Sequence, residues 1–425
     1  MKKCFLILPF ACMLCLLSRK ACADDAMFQM LQSNMQSMQE TIQDLQKTLV
    51  SQNEVIKKLN TRIDVLESTE VRPSVSATQT PERAPKVAGF GQGINPDIGV
   101  VGTVQGLLTE NTDDAEGKDT VVLKELELSL SQYVDPYSRM DVLISLNDNL
   151  ESQNVDIEEA YYTHWGLPLG FQGQIGKFRS KIGKSNLLHL HQLDTADYPE
   201  VIKNFFGDEG LSSSGARLQN MIPNPWDIPI EITGEVLRGN NGRSFGGKSR
   251  RPIFNTHVKT FFELNDDTTL ELGGTTLFGE QNASGLAKGD DRFGTHIFGG
   301  DATVIWNGPE GRIVKWQNEV FFQERKETAT FPNNNPWGFY SLFDVRLNKR
   351  WSVGTRFDFV QPLEIVDLYE QTYAISSYLT FWQSEFASFS LQYTHKEPAN
   401  PNEKTDEMIF LEANFLIGQH KHPVQ

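Results

Sequence analysis

The sequence predicts an all-β chain: a transmembrane antiparallel β-barrel of about sixteen strands, preceded by an α-helical coiled coil. Three observations carry this prediction. Residues 97–418 alternate apolar and polar side chains with a period of two, short and long connections alternate between those runs, and a heptad repeat lies ahead of them. After residue 23 there is no stretch of the ~20 apolar residues that a membrane-spanning helix needs, so a membrane reading has to be built from strands.

All four cysteines, Cys4, Cys12, Cys15 and Cys22, precede Asp24. Lys2 and Lys3 form a positive start, Cys4 to Leu17 is an apolar run too short to span a bilayer, and Ala21-Cys22-Ala23 is a small-x-small cleavage pattern. Residues 1–23 therefore read as a signal peptide, and the mature chain is expected to lack cysteine. A lipid anchor at Cys22 is the competing reading; Arg19 and Lys20 stand where it wants small or apolar residues. Cleavage removes Lys2, Lys3, Arg19 and Lys20 and no acid, so the formal net charge goes from −16 to −20. That balance argues against a nucleic-acid partner, because phosphate binding needs surplus Lys and Arg.

Residues 24–69 are expected to form a periplasmic coiled coil. Ile42, Leu49, Ile56 and Ile63 hold one heptad position and Leu45, Gln52, Leu59 and Leu66 the other, with polar residues between them. So narrow a stripe fits a seam between copies of the chain, which implies self-association; a single amphipathic helix lying on a partner or a membrane is the alternative. Residues 70–96, with Pro73, Pro81 and Pro85, read as a linker.

The barrel region, 97–418, is read from both strands and turns. In Leu126-Glu127-Leu128-Ser129-Leu130 the leucines share one face and the polar residues the other, and the pattern recurs at 230–236, 270–272, 353–359 and 409–417. Short turns near residues 135–137, 167–169, 223–227, 265–267, 307–311, 348–350 and 383–385 alternate with longer polar segments at 109–119, 148–154, 183–212, 239–252, 279–293, 325–337, 361–369 and 396–405. Tight turns at one end and long loops at the other are the asymmetry of a membrane barrel. Trp165, Trp226, Trp306, Trp351 and Trp382 lie near the short turns, where an interfacial aromatic girdle is expected. A soluble β-sandwich needs no such placement. Residues 419–425 form a tail.

This layout resembles bacterial outer-membrane porins that carry a short periplasmic coiled coil before a sixteen-stranded barrel, as phosphate-selective and sugar porins do. The segments Ile94 to Val100, Gly176-Lys177-Phe178-Arg179, His189-Leu190-His191, Asn204 to Leu211 and Gly418 to Pro423 are similar to those of poorly characterised envelope β-barrel proteins, some labelled zinc-regulated or TonB-dependent receptors. The receptor label fits badly, since no plug domain precedes the barrel. The resemblance implies passive diffusion of small hydrophilic solutes or ions, a bacterial outer-membrane location, lipid contact and a homotrimer. The alternatives are an uptake receptor or metal (zinc)-responsive channel, and an envelope-anchoring structural protein.

A barrel of this size encloses an aqueous channel, so candidate site residues are those facing the lumen. Lys177, Arg179 and Lys181 alternate and are expected on one pore-lining face, with Phe178 and Ile182 toward lipid and Arg346 and Arg356 adding to the basic wall. The longest loop, 183–212, is expected to fold inward as a constriction, carrying Asp194, Asp197, Glu200, Asp208 and Glu209 against Lys184 and Lys203. A basic wall opposite an acidic loop sets up a transverse field; charges that merely solvate the wall are the plainer reading. His189 and His191, like His420 and His422, are spaced to share one side of an extended chain; neither pair brings an obvious third metal ligand, although Asp194 is close to the first, and solvated loop histidines are the alternative. No metal or other cofactor is assigned. No arrangement of catalytic residues stands out, and no enzymatic activity is expected.

Overall fold

A computed structural model describes residues 96–110, 119–149, 152–246, 251–282, 292–326, 335–363 and 370–418. The predicted signal peptide, the coiled coil with its seam and all but the last residue of the linker lie outside the described residues, as does the tail with His420 and His422.

Sixteen strands follow in order: β1 Asp97–Thr109, β2 Thr120–Asp135, β3 Ser138–Asn149, β4 Ser152–His164, β5 Gln172–Arg179, β6 Ser212–Met221, β7 Ile230–Leu237 and β8 Ile253–Asn265, then β9 Thr268–Asn282, β10 Arg292–Asn307, β11 Ile313–Arg325, β12 Trp337–Arg346, β13 Trp351–Val360, β14 Thr372–Ser384, β15 Ala387–Glu397 and β16 Asp406–Gly418. Each pairs antiparallel with its sequence neighbours, and β1 pairs with β16, from Gly99 opposite Gly418 to Thr109 opposite Met408. Closure leaves no free edge strand, as a bilayer requires, although β4 pairs with the shorter β5 only over Ala160–His164.

Side-chain burial is inverted relative to a soluble protein. Thr103, Gln105, Glu127, Ser129, Asn255, Thr303, Gln392 and Thr394 are buried, whereas Ile175, Leu218, Phe254, Phe298, Phe322, Phe343, Ile375 and Leu391 are exposed. Apolar side chains outside and polar ones inside form the wall of a lipid-embedded barrel. Trp165, Trp226, Trp306 and Trp351 are exposed near the short turns. Trp382 departs from the expected girdle: it pairs across to buried Ser388, and the Arg346 guanidinium lies 5.2 Å from its ring centroid. Opposed residues share a face, so it points inward.

The connections alternate short and long with one correction. The long loop expected at 148–154 is nearly all strand, because β3 and β4 stay paired as far as Asn149 opposite Ser152. The polar residues that suggested a loop there belong to strand ends.

Candidate functional site

Between β5 and β6 the chain leaves the wall and enters the lumen over residues 180–211, as two 3-10 turns (Ser185–Leu187 and Leu190–Gln192) and helix α1, Glu200–Phe206. Asn186 closes the neck of this loop: its Nδ2 donates to the carbonyls of Ser180 (2.8 Å) and Leu211 (3.1 Å), and its Oδ1 accepts from Leu211 N at 2.6 Å. Gly183 has φ +61, and a Cβ there would sit 1.9 Å from Glu319 Oε2, so only glycine allows this approach to β11.

The loop spans the barrel. On one side Gln105 Nε2 of β1 donates to Ala196 O (3.3 Å), and His189 Nδ1 lies 2.8 Å from Glu158 Oε2 of β4. On the other, Ser185 N donates to Glu319 Oε1 of β11 (2.7 Å) and Glu200 N to Asp358 Oδ1 of β13 (3.1 Å), while Ala196 N donates to Gln392 Oε1 of β15 (2.8 Å), two strands round the ring from β1. The Ser185 hydroxyl meets the Tyr340 hydroxyl on β12, which is half a circuit from β4 in a ring of sixteen. A segment bonded to both must cross the lumen.

An apolar core holds it there. Ile182, Tyr198, Val201, Ile202, Phe205, Phe206 and Leu211 pack against Phe178 and inward-facing Leu237, Ile253, Leu277, Ile297, Phe321 and Val360. Each fully buried side chain of this size contributes about 1.5–3 kcal/mol, so the loop is a packed part of the interior. Alternation still holds in these strands, but the inner face turns apolar where the loop covers it.

A buried ion cluster fixes the middle of the loop. Arg356 of β13, 1% exposed, donates from Nε to Asp358 Oδ2 at 2.7 Å and from its terminal nitrogens to the Thr195 hydroxyl, Asp197 O (2.7 Å) and Asp197 Oδ1 (3.0 Å). Lys203 Nζ bonds Asp197 Oδ2 at 2.8 Å and lies 2.6 Å from Glu200 Oε1, while Lys396 Nζ is 3.2 Å from Glu200 Oε2. Burial opposes ionisation of Asp197, but Arg356 and Lys203 hold its carboxyl well below the usual carboxylate range. Burial likewise disfavours the charge on Lys203, and Asp197 and Glu200 outweigh it, raising the ammonium above its ordinary value.

Four of the five loop acids, Asp194, Asp197, Glu200 and Asp208, are thus partnered through their carboxylates, and Glu209 is held through its backbone carbonyl. Asp194 bonds Lys315 of β11, Asp208 lies 3.3 Å from Arg243, and the Glu209 carbonyl accepts from Arg179 at 2.6 Å. Lys184 Nζ bonds Glu271 Oε1 at 2.9 Å. Asp194, expected nearest to His189 and His191 as a ligand, is engaged elsewhere; the histidines face Glu125, Glu127, Glu158 and Glu159 instead. Burial and Arg179 disfavour the His189 imidazolium, yet hydrogen bonds to Glu158 and Glu159 with the charge of Glu127 raise it to about 9.

The basic face of β5 needs correction. Lys177 opposes Ala160, two residues along from the outward pair Tyr162–Ile175, so it lies on the outer face, donating to Ile157 O. Phe178 and Ile182, expected in lipid, are buried inside the barrel, Phe178 on the strand beneath the loop and Ile182 within the loop itself. Arg179 ends the strand, where the chain turns inward, and its Nη2 lies 3.4 Å from Glu158 Oε2; Lys181 is past the strand and bonds Glu231 Oε1 at 2.6 Å. Arg346 faces inward over Trp382, and Arg356 grips the loop. Alternation shows which residues share a face, but a loop packed inside removes the rule that the apolar face is the lipid one.

Beside the loop, toward the short turns, a cavity of about 320 Å³ is lined by Arg139, Arg179, Lys181, Lys184, Arg217 and Lys259 and by Asp141, Glu159, Glu231, Glu271 and Asp301. The signs are nearly balanced and interleaved: Arg139 Nε bonds Asp141 at 2.8 Å, and Arg217 Nε bonds Glu235 at 2.6 Å. The sequence reading missed Asn186, Glu319, Tyr340 and Asp358. A signal was present: single apolar residues stand at wet-face positions in three successive strands, Leu277 after Thr275, Ile297 after Thr295 and Phe321 after Glu319.

No family model matches the chain. It is 28% identical over 335 residues to a protein of Aquifex aeolicus (strain VF5) described as uncharacterized, covering 71% of this chain and 69% of that protein. Among solved structures it is similar to the outer membrane channel DcaP of Acinetobacter baumannii, with a TM-score of 0.53 and 12% identity over 78% of this chain and all of the other. It is also similar to an anion-selective porin from Comamonas acidovorans, with a TM-score of 0.52 and 10% identity over 76% of this chain and all of the other. At such identities the likeness is one of fold: the chain is a porin-like sixteen-stranded barrel.

Proposed function

We propose that the protein is an outer-membrane porin through which small hydrophilic solutes or ions diffuse passively along the polar space left beside the inward loop. The observation that carries this reading is a closed sixteen-strand wall with polar side chains inside and apolar ones outside. Sixteen strands enclose more space than their own side chains fill. The loop narrows that space from within, and the mixed charges of the neighbouring cavity leave a lining that dipolar solutes can exchange hydrogen bonds with. Self-association through the expected coiled coil, as a homotrimer, belongs to the same reading. Liposome swelling with sugars graded by size tests it: small sugars should enter and larger ones be excluded at a sharp cut-off. Equal exclusion of all sizes by folded protein would refute it.

A further inference from the structure

We propose that Glu125, Glu127 and His191 hold a divalent cation that ties the inward loop to the barrel wall. Glu125 and Glu127 stand two residues apart on the inner face of β2, and His191 lies in the 3-10 turn Leu190–Gln192 of the loop. One ligand atom from each lies within 4.8 Å of the other two. His191 Nδ1 is 4.0 Å from Glu125 Oε2 and 3.9 Å from Glu127 Oε2. Those spacings exceed a hydrogen bond and match two ligands placed on either side of an ion at about 2.0–2.2 Å.

A second observation points the same way. Glu125 is only 7% exposed, and its Oε2, which faces His191, is buried without a hydrogen bond. Left ionised in a low-dielectric interior, such an oxygen is costly unless a cation or a proton supplies the missing contact. Four acids, Glu125, Glu127, Glu158 and Glu159, converge here, and the two cationic groups among them face the other three: Arg179 is engaged with Glu158 and the Glu209 carbonyl, and His189 lies 2.8 Å from Glu158, 3.3 Å from Glu127 and 3.8 Å from Glu159. A second triple, Glu127, Glu158 and His189, is equally compact, but Arg179 Nη2 stands 3.4 Å from Glu158 Oε2 and His189 Nδ1 already bonds that oxygen. The guanidinium repels a cation from that set, so the ion belongs to the first.

One imidazole and two carboxylates suit Zn²⁺ or another divalent transition ion better than Mg²⁺ or Ca²⁺, which prefer all-oxygen shells. Two ligands come from the wall and one from the loop, so the bound ion staples them together. This inference stands whether or not the barrel conducts.

The test uses the full chain, folded in detergent and checked for heat-modifiable migration, loaded with ZnCl₂, desalted and assayed for metal. Wild type should retain about one zinc per chain and retain no magnesium under the same treatment. Glu125→Gln and His191→Gln, each close to the original volume, should each lose the zinc, while Asp194→Asn should keep it. Should one of the two variants fail to fold, the other decides. Zinc should also slow hydrogen exchange over 187–193 in wild type and in neither variant. No retention by wild type would overturn the proposal. So would zinc that persists in both variants and is lost with His420→Gln and His422→Gln, which would assign it to the tail.

Discussion

Arg356 is the residue on which the loop's position most depends. Its guanidinium joins Asp358 on the wall to Asp197 and Thr195 in the loop, and it has no water to fall back on. Replacing it by Gln leaves Asp197 and Asp358 without their shared cation, at a cost of about 3–5 kcal/mol for a buried pair broken on one side. The barrel hydrogen bonds are untouched, so Arg356→Gln should stay heat-modifiable while hydrogen exchange over 195–200 accelerates and channel current becomes noisier. An unchanged exchange pattern would show that the apolar core alone fixes the loop. The same ion cluster sets an acid limit. Asp197 is depressed in the folded state, so its contribution is fully present above the unfolded value of about 3.9 and is lost only as pH falls through its lower folded value. Exchange protection at 196–203, corrected for intrinsic rates, should therefore persist from pH 7 to pH 4. Its loss near pH 5 would contradict that assignment.

At the scale of the element, β16 and β5 show what alternation can and cannot tell. In β16, Ile409, Leu411, Phe415 and Ile417 are all exposed, and Phe415 packs edge-on against Phe389 of β15 at 6.0 Å. Phe415→Asp should block membrane insertion, because a charge on the lipid face costs up to a few kcal/mol depending on depth; normal insertion would mean that β16 is misplaced. In β5 the alternation was legible and the inside was not. The partners that decide it, such as Ile202 and Phe321 around Phe178 and Glu231 for Lys181, lie far along the chain. Lys177→Gln should leave the reversal potential in a salt gradient unchanged, since Lys177 sits on the outer face. Lys181→Gln should shift it toward cations at low salt, as a positive charge leaves the lumen. A shift from Lys177 equal to that from Lys181 would contradict this placement.

For the whole molecule, the barrel was legible because two of its constraints are local. The two-residue period marks each strand, and the alternation of turn lengths counts them, so an error of one loop at 148–154 left the strand number intact. The loop's route was not legible. Its acids could be seen in the sequence, but their partners Lys315, Arg356 and Lys396 are brought to them only by closure of the ring. The histidine pair was visible for the same reason, and its carboxylate neighbours on β2 and β4 were not. The central claim is that this ring encloses a continuous aqueous path narrowed by residues 180–211. Single-channel recording in planar bilayers, with protein shown beforehand to be folded by heat-modifiable migration, tests it most directly. The account predicts discrete, steady conductance steps that scale with salt concentration; folded protein that inserts and passes no current would contradict it.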